Sequence, residues 1–423
     1  MPFTSLGLCA PLARAATDAG YTAPTPIQLA AIPEVLRGQD VLGLAQTGSG
    51  KTAAYVLPLL QRLHDTPRDD TKSGPRRVRV LILVPTRELA AQVGEAVRRL
   101  ALHLPSPVKT SVVFGGVSIN PQMMALRGGA DVVVATPGRL LDLVEHNAIK
   151  LSAVATLVLD EADRMLDLGF ADELQRILAL LPRERQNLFF SATLPDAVQS
   201  LAGSLLHEPV KIEVEATPVN EPNIQQRAIA VDAKNRTQLL RHLIQQNKWE
   251  RVLVFVATRH AAEMVADKLY KAKVFATAFH GDLTQGARTE VLAEFKAKRW
   301  EALITTDLAA RGIDIVQLPV VVNYDLPRSA DDYVHRIGRT ARAGRSGIAI
   351  SFVTAESEAH FALIEKRQGL SIPREQVPGF EPTDAVPAQA AAPAPGNGGV
   401  KGKRPSKKDK LRAAGLLPKV PQQ

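Results

Sequence analysis

Nine short apolar runs, in two groups, constrain the fold more than any other feature of this chain. The first group is VRVLILV (78–84), DVVVAT (131–136), TLVLD (156–160) and NLFFS (187–191). The second is RVLVFV (251–256), KVFATAF (273–279), EALITT (301–306), PVVVNY (319–324) and GIAISFV (347–353). Runs apolar at both parities bury both faces, as strands of a parallel sheet do when helices cover them. Helix-like stretches separate the runs. Two open α/β domains are the economical reading, and 423 residues accommodate them at roughly 100–200 residues per domain. Aromatics are only 4% of residues, so Leu, Val, Ile and Ala must fill the cores.

Composition divides the chain further. The stretch HEPVKIEVEATPVNEPNI (207–224) holds three prolines and no helical period. It reads as a linker with room for an edge strand. AVPAQAAAPAPGNGGV (385–400) is too poor in large apolar residues to build a core, and a basic run, KGKRPSKKDKLR (401–412), follows it. The expected division is a first domain over 1–208, a linker over 209–222, a second domain over 223–370 and a disordered basic tail over 371–423. The net charge of +9 favours a polyanionic partner. Cys9 is the only cysteine, which excludes intramolecular disulfides and zinc sites built on cysteine pairs. The N-terminus lacks early Lys or Arg, and Pro11 and Arg14 interrupt its apolar run, so it reads as mature protein. With no apolar run of about 20 residues, a cytoplasmic protein is expected.

AQTGSGKT (45–52) follows the apolar segment DVLGL and precedes a helix-like stretch. Gly48 and Gly50 can turn consecutive N–H groups toward phosphate oxygens, and the helix N-terminus adds its positive dipole end. Thr47 and Ser49 complete the loop. Lys51 supplies a point charge, and the Thr52 hydroxyl suits Mg²⁺. Ala45 stands where the general phosphate-loop pattern has glycine. In VLDEADRML (158–166) an acidic pair ends an apolar strand. Asp160 suits an Mg²⁺ water shell, and Glu161 suits orienting or deprotonating an attacking water.

These residues resemble the DEAD-box ATP-dependent RNA helicases, and other motifs agree in order over about 350 residues. GYTAPTPIQ (20–28) resembles the family's adenine-recognition motif. PTRELA (85–90), GG (115–116) and TPGR (136–139) resemble its first-domain RNA motifs, and SAT (191–193) its coupling element. TTDLAARGID (305–314) and YVHRIGRTAR (333–342) resemble its second-domain motifs. Ala at position 45 is usual in that family; Ala341 stands where many members have glycine. VPGFEP (377–382) resembles the bacterial RhlE-type branch.

The resemblance implies two tandem RecA-like domains, ATP and Mg²⁺ as cofactors, and RNA as partner, bound through its backbone with little sequence preference. Gln28 would read the adenine edge, Tyr21 and Phe3 would stack near the base, and Asp314 would lie near the ribose. Asp163, Ser191, Thr193, His335 and Arg336 would couple the domains. Thr86, Arg87, Gly115, Gly116, Thr136, Gly138 and Arg139 would contact RNA from the first domain. Thr258, Arg259, Gln285, Arg288 and Thr306 would do so from the second. The three-residue spacing of Arg336, Arg339, Arg342 and Arg345 would bring the four near one face of a helix. The resemblance makes Arg339 and Arg342 fingers that reach the γ-phosphate and gives Arg345 no role. A monomer working on ribosomal precursors or in RNA turnover would fit such a protein, and its residues single out neither setting. A DNA translocase of the same superfamily and a non-enzymatic RNA clamp are the competing readings.

Overall fold

The computed structural model describes residues 2–45, 48–66, 75–214, 224–310, 315, 318–341 and 346–383. Thr47, Asp314, Arg342, Arg345 and the stretch 384–423 lie outside them. So does 215–222, most of the expected linker.

Two parallel sheets carry the fold. The first comprises β1 (Val41–Leu44), β2 (Val80–Leu83), β3 (Thr110–Val113), β4 (Val132–Ala135), β5 (Thr156–Leu159), β6 (Gln186–Ser191) and β7 (Val210–Glu213). Their order is β3-β4-β2-β5-β6-β1-β7. The second comprises β8 (Ile224–Ala230), β9 (Val252–Phe255), β10 (Ala276–Phe279), β11 (Ala302–Thr305), β12 (Val320–Asn323), β13 (Gly347–Val353) and β14 (Arg374–Glu375), in the order β10-β11-β9-β12-β13-β8-β14. Eight of the nine apolar runs contain one of these strands whole, and NLFFS holds all of β6 but Gln186. Helices pack both faces of the first sheet, giving two separate apolar layers: Val80, Ile82, Val132 and Val158 face one, and Leu81, Leu83, Val133 and Leu157 the other. This alternation between two buried layers is why these strands read as unbroken apolar runs.

Two boundaries move. β7 lies in the stretch expected as linker, paired with β1 through Val41–Val210 and Leu44–Glu213. The ordered body also continues past residue 370, where disorder was expected to begin. β14 pairs with β8, and Glu375 takes the Arg227 guanidinium at 2.5 Å. The Phe380 ring lies 5.4 Å from that of His242, and Thr383 bonds Asp232 at 2.7 Å. The polar sequence of this strap gave no core signal; its ion pairs hold it.

The motif residues cluster at the carboxyl ends of strands, where open α/β sheets bind ligands. In the first sheet the phosphate loop follows β1, PTRELA follows β2, TPGR follows β4, DEAD follows β5 and SAT closes β6. In the second, Thr258 follows β9 and Thr306 follows β11.

Candidate nucleotide and nucleic-acid site

The phosphate loop is built on two left-handed glycines, Gly48 at φ 84° and Gly50 at φ 95°. A Cβ on Gly50 would also stand 2.5 Å from Gln28 Nε2, so only glycine fits. Lys51 opens the helix Lys51–Asp65, is buried, and donates from Nζ to the Ala45 carbonyl at 2.6 Å. That bond pins the charge at the mouth of the loop. Gln28 is fully buried; its Nε2 donates to the Gly50 carbonyl at 3.1 Å and its Oε1 accepts from Thr25 N at 3.0 Å. Its amide thus ties the adenine motif to the phosphate loop, leaving one donor and acceptor lone pairs for a base. Phe3 is a core residue, packed edge to face on Tyr21 at 6.5 Å. Tyr21 is the half-exposed ring of the two.

Asp160 follows β5 directly and is buried. Burial, and then Glu161, push its carboxyl up to about 6, against the opposing pull of Lys51. Its Oδ2 accepts from the Tyr55 hydroxyl at 2.8 Å. Tyr55 escaped the sequence reading, although a tyrosine amid the apolar face of a helix must find a partner for its hydroxyl. Glu161 sits in the left-handed region at φ 53°, which is strained for a non-glycine residue. Its Oε2 is buried without a hydrogen-bond partner, 3.8 Å from Arg164 Nη1. Ser49 Oγ is likewise buried and unpaired. A polar site with unsatisfied acceptors and a desolvated acid fits a bound phosphate and cation: the cation would hold Asp160 ionised.

Asp163 joins the DEAD and SAT elements directly. Its Oδ2 accepts from Thr193 Oγ1 at 2.9 Å, Thr193 N at 3.0 Å and Ala192 N at 3.2 Å. Ser191 Oγ closes the turn on the Thr193 carbonyl at 2.7 Å. His335, from the second sheet's side, lies within the field of these residues. Burial, then Arg164, lower its imidazole below the ordinary value, and Asp163 opposes them. Arg339 lines the same small hollow as His335 and first-domain Arg164.

The arginine series is not one helical face. The helix ends at Ile337, before Arg339. Arg336 does not reach DEAD or SAT. It is buried in its own domain, paired with Asp307 at 2.6 and 2.7 Å, bonded to the Asp325 carbonyl at 2.6 Å, and placed over the Phe255 ring. Its partner Asp307 is the third residue of TTDLAARGID (305–314).

The expected RNA residues split. Thr86 and Thr258 cap helices through their hydroxyls, accepting from Leu89 N at 3.3 Å and Ala261 N at 3.1 Å. Arg87 passes over Gly116, whose added Cβ would meet its guanidinium at 2.4 Å. Gly115 N donates to Thr136 Oγ1 at 3.4 Å, and Gly138 opens onto clear space. Arg139 Nη2 donates to the Val117 carbonyl at 2.7 Å, while its Nη1 and Gln285 Oε1 are buried and unpaired. Arg259 pairs with Asp282 on the surface, and Thr306 Oγ1 accepts from Ala309 N at 3.4 Å. Arg288 is the exception. It is buried against first-domain Glu88 at 2.7 Å and stacks on Phe279, so it bridges the domains rather than facing solvent. Breaking a buried ion pair costs about 3–5 kcal/mol. Glu88→Ala is therefore expected to disfavour the closed arrangement by that order and leave each sheet folded. Energy transfer between dyes on the two domains checks it; unchanged closure would remove the bridging role.

Two parallel-sheet domains facing each other across a phosphate loop, an acidic strand end and an arginine-bearing turn define a nucleotide-driven two-domain enzyme. The chain matches the DEAD/DEAH box helicase family over residues 25–201 and the helicase conserved C-terminal domain over 235–344. It is 40% identical over 376 residues to the DEAD-box ATP-dependent RNA helicase CshA of Bacillus cereus, covering 89% of this chain and 70% of that one. It is 40% identical to the ATP-dependent RNA helicase DeaD of Escherichia coli over 90% of this chain and 59% of that one. Among solved structures, Saccharomyces cerevisiae Dbp5 bound to RNA and ADP BeF3 superposes with a TM-score of 0.75 at 32% identity, covering 88% of this chain and 95% of that one. The chain belongs to the DEAD-box helicase family.

Proposed function

We propose that this protein is an ATP-dependent RNA helicase that opens short duplexes locally and remodels RNA or RNA–protein complexes by closing its cleft. One observation carries the reading: Lys51, Asp160 and Glu161 converge on one side while His335 and Arg339 approach Arg164 from the other. ATP lies on the first domain, with Gln28 and Tyr21 at its base. A divalent cation, Mg²⁺, held by Thr52 and Asp160 would neutralise phosphate charge. Glu161 accepts the proton of the attacking water. RNA lies across Arg87, Gly116, Thr136, Arg139, Thr258 and Gln285, contacted chiefly through phosphates and sugars. ATP and RNA each favour the closed state, so they bind with positive coupling.

Finer readings rest on the sequence. The division into domains at 1–208 and 223–370 is retained, with β7 extending the first and the strap to Thr383 extending the second. The VPGFEP stretch favours an RhlE-type protein. Among the described residues no helix is long and apolar enough to cross a membrane; a cytoplasmic monomer acting on ribosomal precursors or in RNA turnover is the setting proposed. ATP hydrolysis measured with RNA, with DNA and with neither tests the function. Stimulation by RNA is expected; stimulation by DNA alone would make it a DNA translocase, and no hydrolysis an RNA clamp.

Residues 400–423 carry eight Lys and Arg against Asp409. As a tether for RNA they would release counterions at roughly 0.7 log units per phosphate on single strands. Truncation after Thr383 is expected to flatten the slope of log affinity against log salt by about 1–4 units. Turnover at saturating RNA should hold. Equal slopes would reduce the tail to a solubility device.

A further inference from the structure

Several turns from helix into strand place a residue in the left-handed region, where glycine and asparagine are most at ease. In the first sheet Gly38, Gly129, Asn147 and Glu208 hold this place ahead of β1, β4, β5 and β7, at φ 83°, 67°, 54° and 41°. In the second sheet the turns ahead of β9, β10 and β11 use Lys248, Lys273 and Lys298, at φ 52°, 63° and 61°. A lysine there bears a steric cost that glycine would not. Attraction to a helix C-terminus favours a cation, but the equivalent first-sheet turns do without one.

The strands follow the order β10-β11-β9, so the three turns stand in a row, spaced by about 5 Å per strand. All three lysines are exposed. Lys298 bonds Glu250 at 2.5 Å; Lys248 and Lys273 make no ion pair among the described residues. Stretches 248–251, 267–275 and 294–301 together hold eight Lys and Arg against Glu250, Asp267, Glu294 and Glu301, a local excess of +4 in which Asp267 pairs with Lys271 and Glu294 with Arg299, whereas residues 1–399 as a whole carry only +2. Beside the row, Tyr270 and Phe275 are each 57% exposed, with ring centroids 6.4 Å apart and nearly perpendicular. Phe275 N donates to Glu301 Oε2 at 2.8 Å, which fixes that turn to the next. A hollow lined by Glu250, Arg251, Lys298, Leu318 and Pro319 adjoins.

We propose that this edge is a second binding surface for single-stranded RNA. The lysine row takes successive phosphates, and the Tyr270–Phe275 pair stacks a base. Cations in a row with an exposed ring beside them suit a flexible polyanion carrying π-faces, whichever bases it bears. The edge lies at the opposite end of β9 and β11 from Thr258 and Thr306, about 13 Å along four-residue strands. It therefore engages RNA that extends beyond the cleft. The inference rests on RNA being the ligand of that cleft.

The test uses the full chain. Lys248→Gly, Lys273→Gly and Lys298→Gly combined remove the cations where glycine is conformationally at ease. A second variant combines Tyr270→Ser and Phe275→Ser. Both should lose about tenfold in affinity for a long oligouridine. The triple variant should also flatten the salt slope by about 2 units, for three phosphates at roughly 0.7 each. Turnover stimulated by a short oligouridine that fills only the cleft should match the parent. Parental affinity and slope in both variants would overturn the proposal, as would equal losses on short and long RNA. Polyglutamate binding lost in the triple variant, with RNA affinity unchanged, would assign the edge to an acidic protein and overturn it as well. A parent that binds neither RNA would instead fell the reading of the cleft.

Discussion

Glu161→Gln is expected to slow ATP hydrolysis by about 10²–10⁴, the usual worth of a positioned general base, while ATP and RNA still bind. The amide keeps the size and shape of the carboxylate, so the left-handed turn at φ 53° and the helix behind it are undisturbed. It cannot accept a proton as the carboxylate does. In the folded protein Oε2 is buried without a hydrogen bond, 3.8 Å from its ion-pair partner Arg164 Nη1. An acceptor kept without a hydrogen bond in a polar site is poised for something not built into the chain. With hydrolysis stalled, the closed complex should persist, and RNA should dissociate more slowly in the presence of ATP than from the parent. Single-turnover hydrolysis and RNA dissociation, measured on the same preparation, separate the two effects. Hydrolysis at the parental rate would remove the water-activating role from Glu161.

Local chemistry was legible in the sequence wherever one segment carries it. Lys51, the glycines beside it and the Asp160–Glu161 pair all lie in short motifs whose backbone demands are local. The inner strands were legible because both of their faces are buried. β3 was not: TSVV alternates half-buried and buried, as an edge strand does. β8 was missed because the polar residues of IQQRAIA hide a strand enclosed only by tertiary pairing with β13 and β14. The largest revisions concern long side chains whose partners are distant in sequence. Arg288 and Glu88 are 200 residues apart. Tyr55 and Asp160 are 105 apart. Nothing local states that Arg288 turns inward to the first domain, or that Arg336 is spent on Asp307. Both are arginines with a fork that two acceptors can fill, and which acceptors fill it depends on the packing of whole domains.

That distinction between neighbouring arginines sets the other large effect. Arg339→Ala is expected to lower turnover by about 10³–10⁵, the worth of an arginine finger in phosphoryl transfer, with ATP affinity close to parental. Arg336 and Arg339 are three residues apart, yet the helix ends between them. Arg336 is almost wholly buried and bonded to Asp307, Asn323 and the Asp325 carbonyl. Its loss should unfold or loosen the second domain, because it strands the half-buried Asp307 carboxylate and the fully buried Asn323 amide oxygen. Arg339 is half-buried and lines the hollow shared with His335 and first-domain Arg164, and Arg164 in turn neighbours Glu161. Its side chain comes from the opposite domain, so it contributes only when the domains meet over ATP. Truncating it should therefore leave the thermal midpoint near that of the parent and abolish the chemistry. Arg339→Lys should recover little, since a point charge cannot reproduce the two-pronged contact with phosphate oxygens. Nucleotide binding, thermal unfolding and RNA-stimulated turnover on Arg339→Ala, Arg339→Lys and Arg336→Ala distinguish the roles. Normal turnover in Arg339→Ala would refute the finger. A lowered midpoint in Arg339→Ala like that of Arg336→Ala would make it a structural residue, and the transition-state charge would then have to be met by another side chain.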